Sequence, residues 1–164
     1  MKHIMISINP EWVEKILNRE KRWELRLSCP EDECIVEIYC TKDPKHLVAP
    51  FRFVEGWFYK VYDDNTNYAC GCTSNMGETI NGKVVARFWL NKSAIYKGFN
   101  VDSIREVSEQ SKVSALQIYK YSNCGTRTIY AWFIDDLRIY DTPKELAEFG
   151  LKRPFQSWGY LKDE

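Results

Sequence analysis

The sequence predicts an α+β fold, in which a small mixed β-sheet curves toward a barrel and two or three helices flank it. Three observations support this class. A strand pattern, a helix pattern and several strand patterns follow one another, with further helix patterns among the later strands. The length of 164 residues suits one domain. The residues are 45% hydrophobic and 15% aromatic, which is enough apolar material for a core.

The chain opens with a strand and a capped helix. Residues 3–8, HIMISI, are rich in isoleucine and predict a buried strand. Asn9 then takes the N-cap position, Pro10 the first helical position, and Glu11 complements the helix dipole. Four apolar residues at helical spacing predict a helix that ends near Arg19: Trp12, Val13, Ile16 and Leu17.

Two strands follow this helix, RWELRLS at 22–28 and CIVEIYCT at 34–41. The first alternates between apolar residues and charged ones, and the charged positions include Glu24 and Arg26. This period of two predicts one packed face and one face in solvent. Residues 43–82 then lose regularity, and we expect an insertion within a single domain that spans 1–164.

The second half resumes with regular elements. The sequence predicts a hairpin in the aromatic stretch 51–62, a strand at 83–90, one helix across 101–122 and an apolar strand at 128–140. A short helix is predicted at 142–149, with Thr142 as its cap, Pro143 at its first position and Gly150 as its stop.

Composition excludes some classes of protein. No run of about 18 apolar residues occurs, so we expect no membrane span. The opening breaks at Asn9 and Pro10 before a signal-peptide core could form, which predicts a cytoplasmic protein. The net charge of zero predicts no overall attraction to nucleic acid. The stretch 83–133, however, contains eight basic residues and only three acidic ones. With aromatics interleaved, this pattern fits nucleotide binding or a plain solvent face.

The spacing of the six cysteines does not indicate a metal site, and we expect no cofactor. Cys70 and Cys72 form a C-x-C half-site, but the sequence holds no second pair to complete a tetrahedral set. His3 and His46 are distant from it in sequence. In a cytoplasm the thiols should stay reduced and act mainly as small apolar groups.

The segment EKRWELR at 20–26, with the strand and helix before it, resembles the opening of ASCH domains, the PUA-like β-barrels linked to RNA. Their signature, G-x-K-x-x-E-x-R, follows the first helix. Lys21, Glu24 and Arg26 match it, while Arg19 stands in the place of the glycine. The later stretches NGKVVARFWL and RPFQSWGYL resemble small ASCH-like proteins of bacteriophages. The resemblance covers both ends of the chain but not 43–82.

The resemblance implies a cleft that accepts RNA or a nucleotide base. Lys21 would meet phosphate, Arg26 would present its planar fork to phosphate or a base edge, and Glu24 would accept from an amino group or hold Arg26. Further residues expected at such a site are Arg87, Arg153, Gln156 and Trp158. Two alternatives stay open: Glu24 and Arg26, roughly 7 Å apart along the strand, suit an ordinary surface ion pair, and Trp158 suits a final strand.

Catalysis is the less favoured interpretation. An amidohydrolase of the same family acting on N4-acylated cytidine would use Lys21, but Glu24 replaces its threonine and strand 83–91 carries no carboxylate. No general base can therefore be assigned. A ribonuclease would pair Lys21 with a tyrosine and a serine, for which Tyr39, Tyr130 and Ser157 are candidates.

A protein-interaction role is the second class of function. A phage-borne copy of the fold would use the aromatic stretch 51–62 to grip a host protein, such as a defence factor, if those rings are exposed. The sequence does not predict an oligomeric state.

Overall fold

The computed structural model describes residues 1–53, 56–63 and 77–162. Within them the chain forms strands, three α-helices and one 3-10 helix. The strands are β1 Lys2–Ile8, β2 Trp23–Arg26, β3 Cys34–Cys40, β4 His46–Phe53, β5 Gly56–Asp63, β6 Val84–Leu90, β7 Ser93–Tyr96, β8 Ile129–Phe133, β9 Asp135–Lys144 and β10 Trp158–Tyr160. The helices are α1 Pro10–Leu17, α2 Val101–Ser111, α3 Ala115–Tyr121 and the 3-10 helix Leu146–Phe149.

The strands form a five-stranded sheet in the order β10-β1-β3-β6-β9, a three-stranded sheet β2-β8-β7 and a hairpin β4-β5. β1 and β3 run parallel, with α1 and β2 between them in the chain, and the other pairs are antiparallel. The predicted α+β class is confirmed. The described strands form separate sheets and do not close into the barrel that we expected.

The five-stranded sheet is buried on both faces at its centre. Isoleucines of β1 and β3, such as Ile6 and Ile38, pack against Val13 and Ile16 of α1 in the main core. Met5 and neighbouring side chains of the opposite face form a second cluster with the C-terminal segment. Burial on both faces explains why β1 reads as an isoleucine-rich run.

The three-stranded sheet has its own core. Leu25, Ile129 and Ala131 of this sheet pack against Val107 of α2 and Ile118 of α3. The fold thus contains two packing units: the five-stranded sheet with α1, and the three-stranded sheet with α2 and α3. The segment that leaves α1 passes from the first unit to the second.

Two predicted helices differ from the structure. The helix at 101–122 is split, because Lys112 adopts a left-handed conformation with φ of 59° and Ser114 caps a new helix through a capping box. The prediction of a helix at 142–149 is wrong in its first part, because β9 continues to Lys144. Pro143 is tolerated there because β9 lies at the sheet edge. Only the 3-10 helix remains, and it ends at Gly150 with φ of 69°.

The predicted aromatic hairpin is confirmed as β4-β5. It docks on α1, where the Asn18 side chain donates to the carbonyl oxygen of Tyr59 at 2.8 Å and accepts from its N–H at 2.9 Å. The hairpin lies in the stretch 43–82, whose status as an insertion in a single domain stays a prediction. Cys70 and Cys72 lie outside the described residues. No helix in the described ranges has the length and apolarity to cross a membrane.

Candidate functional site

The three charged residues Lys21, Glu24 and Arg26 form one buried chain of ion pairs. Glu24 Oε2 lies 3.3 Å from Lys21 Nζ, and Glu24 Oε1 lies 2.9 Å from Arg26 Nη2. The side chains of Lys21, Glu24 and Arg26 are only 2%, 8% and 12% exposed. The expectation that Glu24 faces solvent was therefore wrong.

Lys21 and Arg26 are buried because they lie where the two packing units meet. Lys21 Nζ donates to the backbone carbonyl oxygen of Ser111 at 2.7 Å. Ser111 is the last residue of α2, and the C-terminus of a helix favours a cation. Lys21 Nζ also lies 5.3 Å from the ring centroid of Trp12 on α1, in a cation–π contact. Lys21 thus connects α1, β2 and α2.

Arg26 connects β2 to the five-stranded sheet and the C-terminal tail. Its Nη2 donates to the Ser7 carbonyl oxygen at 2.8 Å, and its Nη1 donates to Ser157 Oγ at 3.2 Å. The Arg26 Nε is buried and makes no hydrogen bond to the residues that the structure describes. The bonds to Ser7, Ser157 and Glu24 fix the orientation of the guanidinium.

The electrostatics of the chain of ion pairs follow from its burial. Removal from water lowers the pKa of Lys21, and the nearby Glu24 carboxylate opposes this shift. Burial also raises the pKa of Tyr121, at the end of α3. Two cations and one carboxylate leave one excess positive charge in the trio. Glu11, an exposed carboxylate that also lines the cleft, offsets this charge.

The trio lines a cleft of about 460 Å³ between α1, β2 and α3. This volume lies within the range of roughly 300–1,000 Å³ that is typical of small-molecule sites. Trp12 and Tyr121 contribute aromatic wall, and Gln156 contributes an amide. The other lining residues are Ser7, Ile8, Asn9, Glu11, Leu25, Thr41, Val113, Gln117 and Ile118.

The other four predicted site residues lie in four different places. Gln156 lines the cleft, and Arg153 lines a neighbouring cavity that shares residues with it. Arg87 lies on β6 opposite Glu37 of β3 and is not among the residues that line the cleft.

Trp158 occupies the final strand, which was the alternative prediction for it. It pairs opposite Ile6 on β1 and packs edge-on against Trp132, with ring centroids 5.7 Å apart. Its Nε1 donates to Ser28 Oγ at 3.0 Å. These contacts give Trp158 a structural role.

None of the three candidates for a ribonuclease lines the cleft. Tyr39 is buried and borders the neighbouring cavity, and Tyr130 lies on β8 beside Arg26 of β2, packed on the main core. Ser157 contacts Arg26. No group of three His, Cys, Asp or Glu side chains in the described ranges could hold a metal ion.

Sequence reasoning missed Trp12 and Tyr121 as cleft residues. Trp12 belongs to the apolar stripe of α1, and nothing in that pattern separates it from the core residues beside it. Tyr121 shares a helix face with Gln117 and Ile118, at i,i+4 and i,i+3 spacing, and both of these also line the cleft. That spacing is the signal that could have found it.

The fold is similar to crystal structures of the ASCH protein of Zymomonas mobilis. That protein matches with a TM-score of 0.60 and 18% identity, over 98% of this chain and 88% of its own. A serine-to-alanine variant matches with a TM-score of 0.61 and 17% identity, over 98% of this chain and 89% of that chain. A tyrosine-to-phenylalanine variant matches with a TM-score of 0.61 and 17% identity, over 99% of this chain and 91% of that chain.

The sequence itself gives no further match. No protein-family model matches it, and no curated protein matches it significantly. The structural likeness spans almost the whole chain at low identity, so it concerns the fold. The chain therefore has the fold of the ASCH proteins.

Proposed function

We propose that this chain binds RNA or a nucleotide in the cleft between α1, β2 and α3. The observation that carries this proposal is the convergence of Lys21, Glu24 and Arg26 on one cleft with aromatic walls. The ASCH-type fold, shared with the protein of Zymomonas mobilis, supports the same class of role.

The residue types suit recognition of a base and its phosphate. Trp12 and Tyr121 offer faces on which a base stacks, a contact worth about 1–3 kcal/mol per base. The amide of Gln156, exposed at the cleft, suits pairing with a base edge. Lys21 and Arg26 are the cations of the cleft that suit contact with a phosphate. Because Lys21 and Arg26 are already bonded to the protein, little ordering is required when the ligand binds.

The arrangement favours binding over catalysis. Both oxygens of Glu24 engage cations, which suits a group that orients Arg26 better than a group that transfers a proton. Tyr39 and Tyr130 do not line the cleft. A hydrolase of N4-acylcytidine or of RNA, with Lys21 as its catalytic residue, is therefore the less supported alternative.

Equilibrium binding tests the proposal directly. A fluorescein-labelled RNA hexamer of randomised sequence should bind the chain, with an affinity that weakens as the salt concentration rises. Absence of binding at low salt, for the hexamer and for each of the common nucleosides, would contradict the proposal. We also propose that the protein is cytoplasmic and of bacteriophage origin.

Protein binding is a second candidate, supported by the hairpin. Trp57 is 60% exposed and Phe58 is 41% exposed, and both line a groove of about 650 Å³ beside α1 and β9. Tyr59 is buried, however, and Val61 packs on the core, so the apolar surface is smaller than the sequence predicts. A host protein bound here would lose affinity on Trp57→Ala and keep it on Tyr121→Ala, the reverse of the RNA pattern.

A further inference from the structure

A second cavity continues the cleft toward the C-terminal tail. It has a volume of about 1,210 Å³ and shares Ser7, Thr41 and Gln156 with the cleft. We call this second cavity the tail groove. These shared residues place the two cavities next to each other.

The tail groove is more basic than the cleft. Three exposed cations line it, Lys42, Lys152 and Arg153. Its one carboxylate, Glu145, is paired with Lys83. In the cleft, by contrast, Lys21 and Arg26 are balanced by Glu24 and Glu11. Positive charge therefore increases from the cleft into the groove.

The Lys42 side chain packs over Gly82 in the tail groove. Gly82 has φ of +79°, and a Cβ on it would lie 2.8 Å from Lys42 Cε and 3.1 Å from Lys42 Cγ. The Lys42 side chain thus lies across a backbone position that has no side chain of its own. The Gly82 N–H donates to the Cys40 carbonyl oxygen at 2.8 Å, which fixes this surface against β3.

The opposite wall is also fixed to the sheet. Ser7 Oγ donates to the Phe155 carbonyl oxygen at 2.6 Å, and the Ser7 N–H donates to the Ser157 carbonyl oxygen at 2.9 Å. These bonds hold the segment that carries Lys152 and Arg153 beside β1. Ser7 also accepts from Arg26 through its carbonyl oxygen, so one residue joins the groove wall to the cleft.

We propose that the tail groove holds the backbone phosphates of nucleotides that flank the base in the cleft. The preferred ligand is then a single-stranded RNA segment of several nucleotides, and a free nucleoside fills only part of the site. This inference rests on the proposed function and adds the class of ligand to it. Cations along a groove beside a stacking site are the usual means of tracking a nucleic-acid backbone.

The test compares two triple variants. In the first, Lys42, Lys152 and Arg153 are replaced by alanine. In the matched control, three exposed cations that line none of the described cavities are replaced by alanine, Lys92, Lys97 and Arg105. Binding of the labelled randomised RNA hexamer is measured by anisotropy between about 50 and about 200 mM salt.

The groove variant should bind the hexamer more weakly, and its slope of log Kd against log salt should be smaller by about 2. This value follows from three lost phosphate contacts at about 0.7 each for a single strand. The control should keep the wild-type slope. Binding of each of the four nucleosides, followed by the thermal midpoint, should be the same in all three proteins.

The outcomes separate the two proposals. If the wild type binds hexamer and nucleosides and the groove variant keeps the wild-type slope, the groove inference is wrong and the proposed function stands. If the groove variant loses nucleoside binding as well, the cations do not act on flanking phosphates, and the inference is again wrong. If the wild type binds neither ligand, the proposed function fails and the inference fails with it.

Discussion

Arg26 on β2 donates a hydrogen bond from Nη2 to the backbone carbonyl oxygen of Ser7 on β1, at 2.8 Å. This bond joins the three-stranded sheet to the five-stranded sheet. The same nitrogen lies 2.9 Å from Glu24, whose other oxygen binds Lys21. The charged residues of the motif thus connect the two packing units and line the cleft between them.

Glu24→Gln should reduce the free energy of unfolding by about 3 kcal/mol. Removing one partner of a buried ion pair leaves the other charge uncompensated, at a cost of about 3–5 kcal/mol. Urea denaturation measures the change. Glu33→Gln, at an exposed position, serves as control and should change stability by less than about 0.5 kcal/mol. Equal stabilities of the two variants would show that the Glu24 charge does not hold the units together.

Glu37→Gln should stabilise the protein at neutral pH. Glu37 is buried and accepts a hydrogen bond from Tyr140 Oη at 2.6 Å, and burial raises the pKa of its carboxyl above 4.5. The folded protein therefore keeps this proton to higher pH than the unfolded chain does. The contribution to stability is complete below pH 4.5 and is lost as the pH rises through the folded-state pKa.

The measurement for Glu37 is urea denaturation at several pH values. The stability of the glutamine variant relative to wild type should be lowest near pH 4 and should increase toward about pH 7. Glu33→Gln should show no such trend. A difference that is independent of pH would contradict the assigned cause.

Tyr121→Ala should weaken binding of the RNA hexamer by about tenfold. The expected loss is that of one base–aromatic stack, about 1–3 kcal/mol. Tyr119→Ala is the matched control, since Tyr119 also lies on α3, is 46% exposed against 40% for Tyr121, and does not line the cleft. The same affinity in both variants would place the ligand away from α3.

Trp158→Leu should lower stability by about 2 kcal/mol and leave the affinity for RNA unchanged. The substitution removes the contact with Trp132 and the hydrogen bond to Ser28 Oγ, and loss of aromatic packing costs on this order. Chemical denaturation and anisotropy measure the two effects on the same protein. If Trp158→Leu kept the wild-type stability and lost tenfold in RNA affinity, Trp158 would belong to the binding site, contrary to this prediction.

The opening of the fold could be predicted from local signals. An isoleucine-rich run, a proline at the first helical position and a helical stripe predict β1 and α1 closely, although α1 ends at Leu17 and the Asn9 side chain makes no capping hydrogen bond. The break between α2 and α3 could not be predicted, because no glycine or proline marks it. Lys112 adopts the left-handed conformation there without a residue that favours it.

The sequence singles out Lys21, Glu24 and Arg26, which lie together, but it does not predict the environment of these side chains. Alternation along β2 separates Glu24 from Leu25, yet it does not reveal what covers each face. Leu25 packs against α2 and α3, and Arg26 on the other face bonds to Ser7 of β1, both distant in sequence. Arg87 is expected at the same site, whereas the register of β6 places it opposite Glu37.

The most direct test of the cleft is an NMR titration of the ¹⁵N-labelled chain with the randomised RNA hexamer, followed at the indole N–H signals. Trp12 lines the cleft and Trp57 lies on the hairpin, so the two rings report on the two candidate surfaces. We predict that the Trp12 signal shifts with saturation while the Trp57 signal does not. A shift of Trp57 alone, or no shift at any indole, would contradict binding of RNA in the cleft.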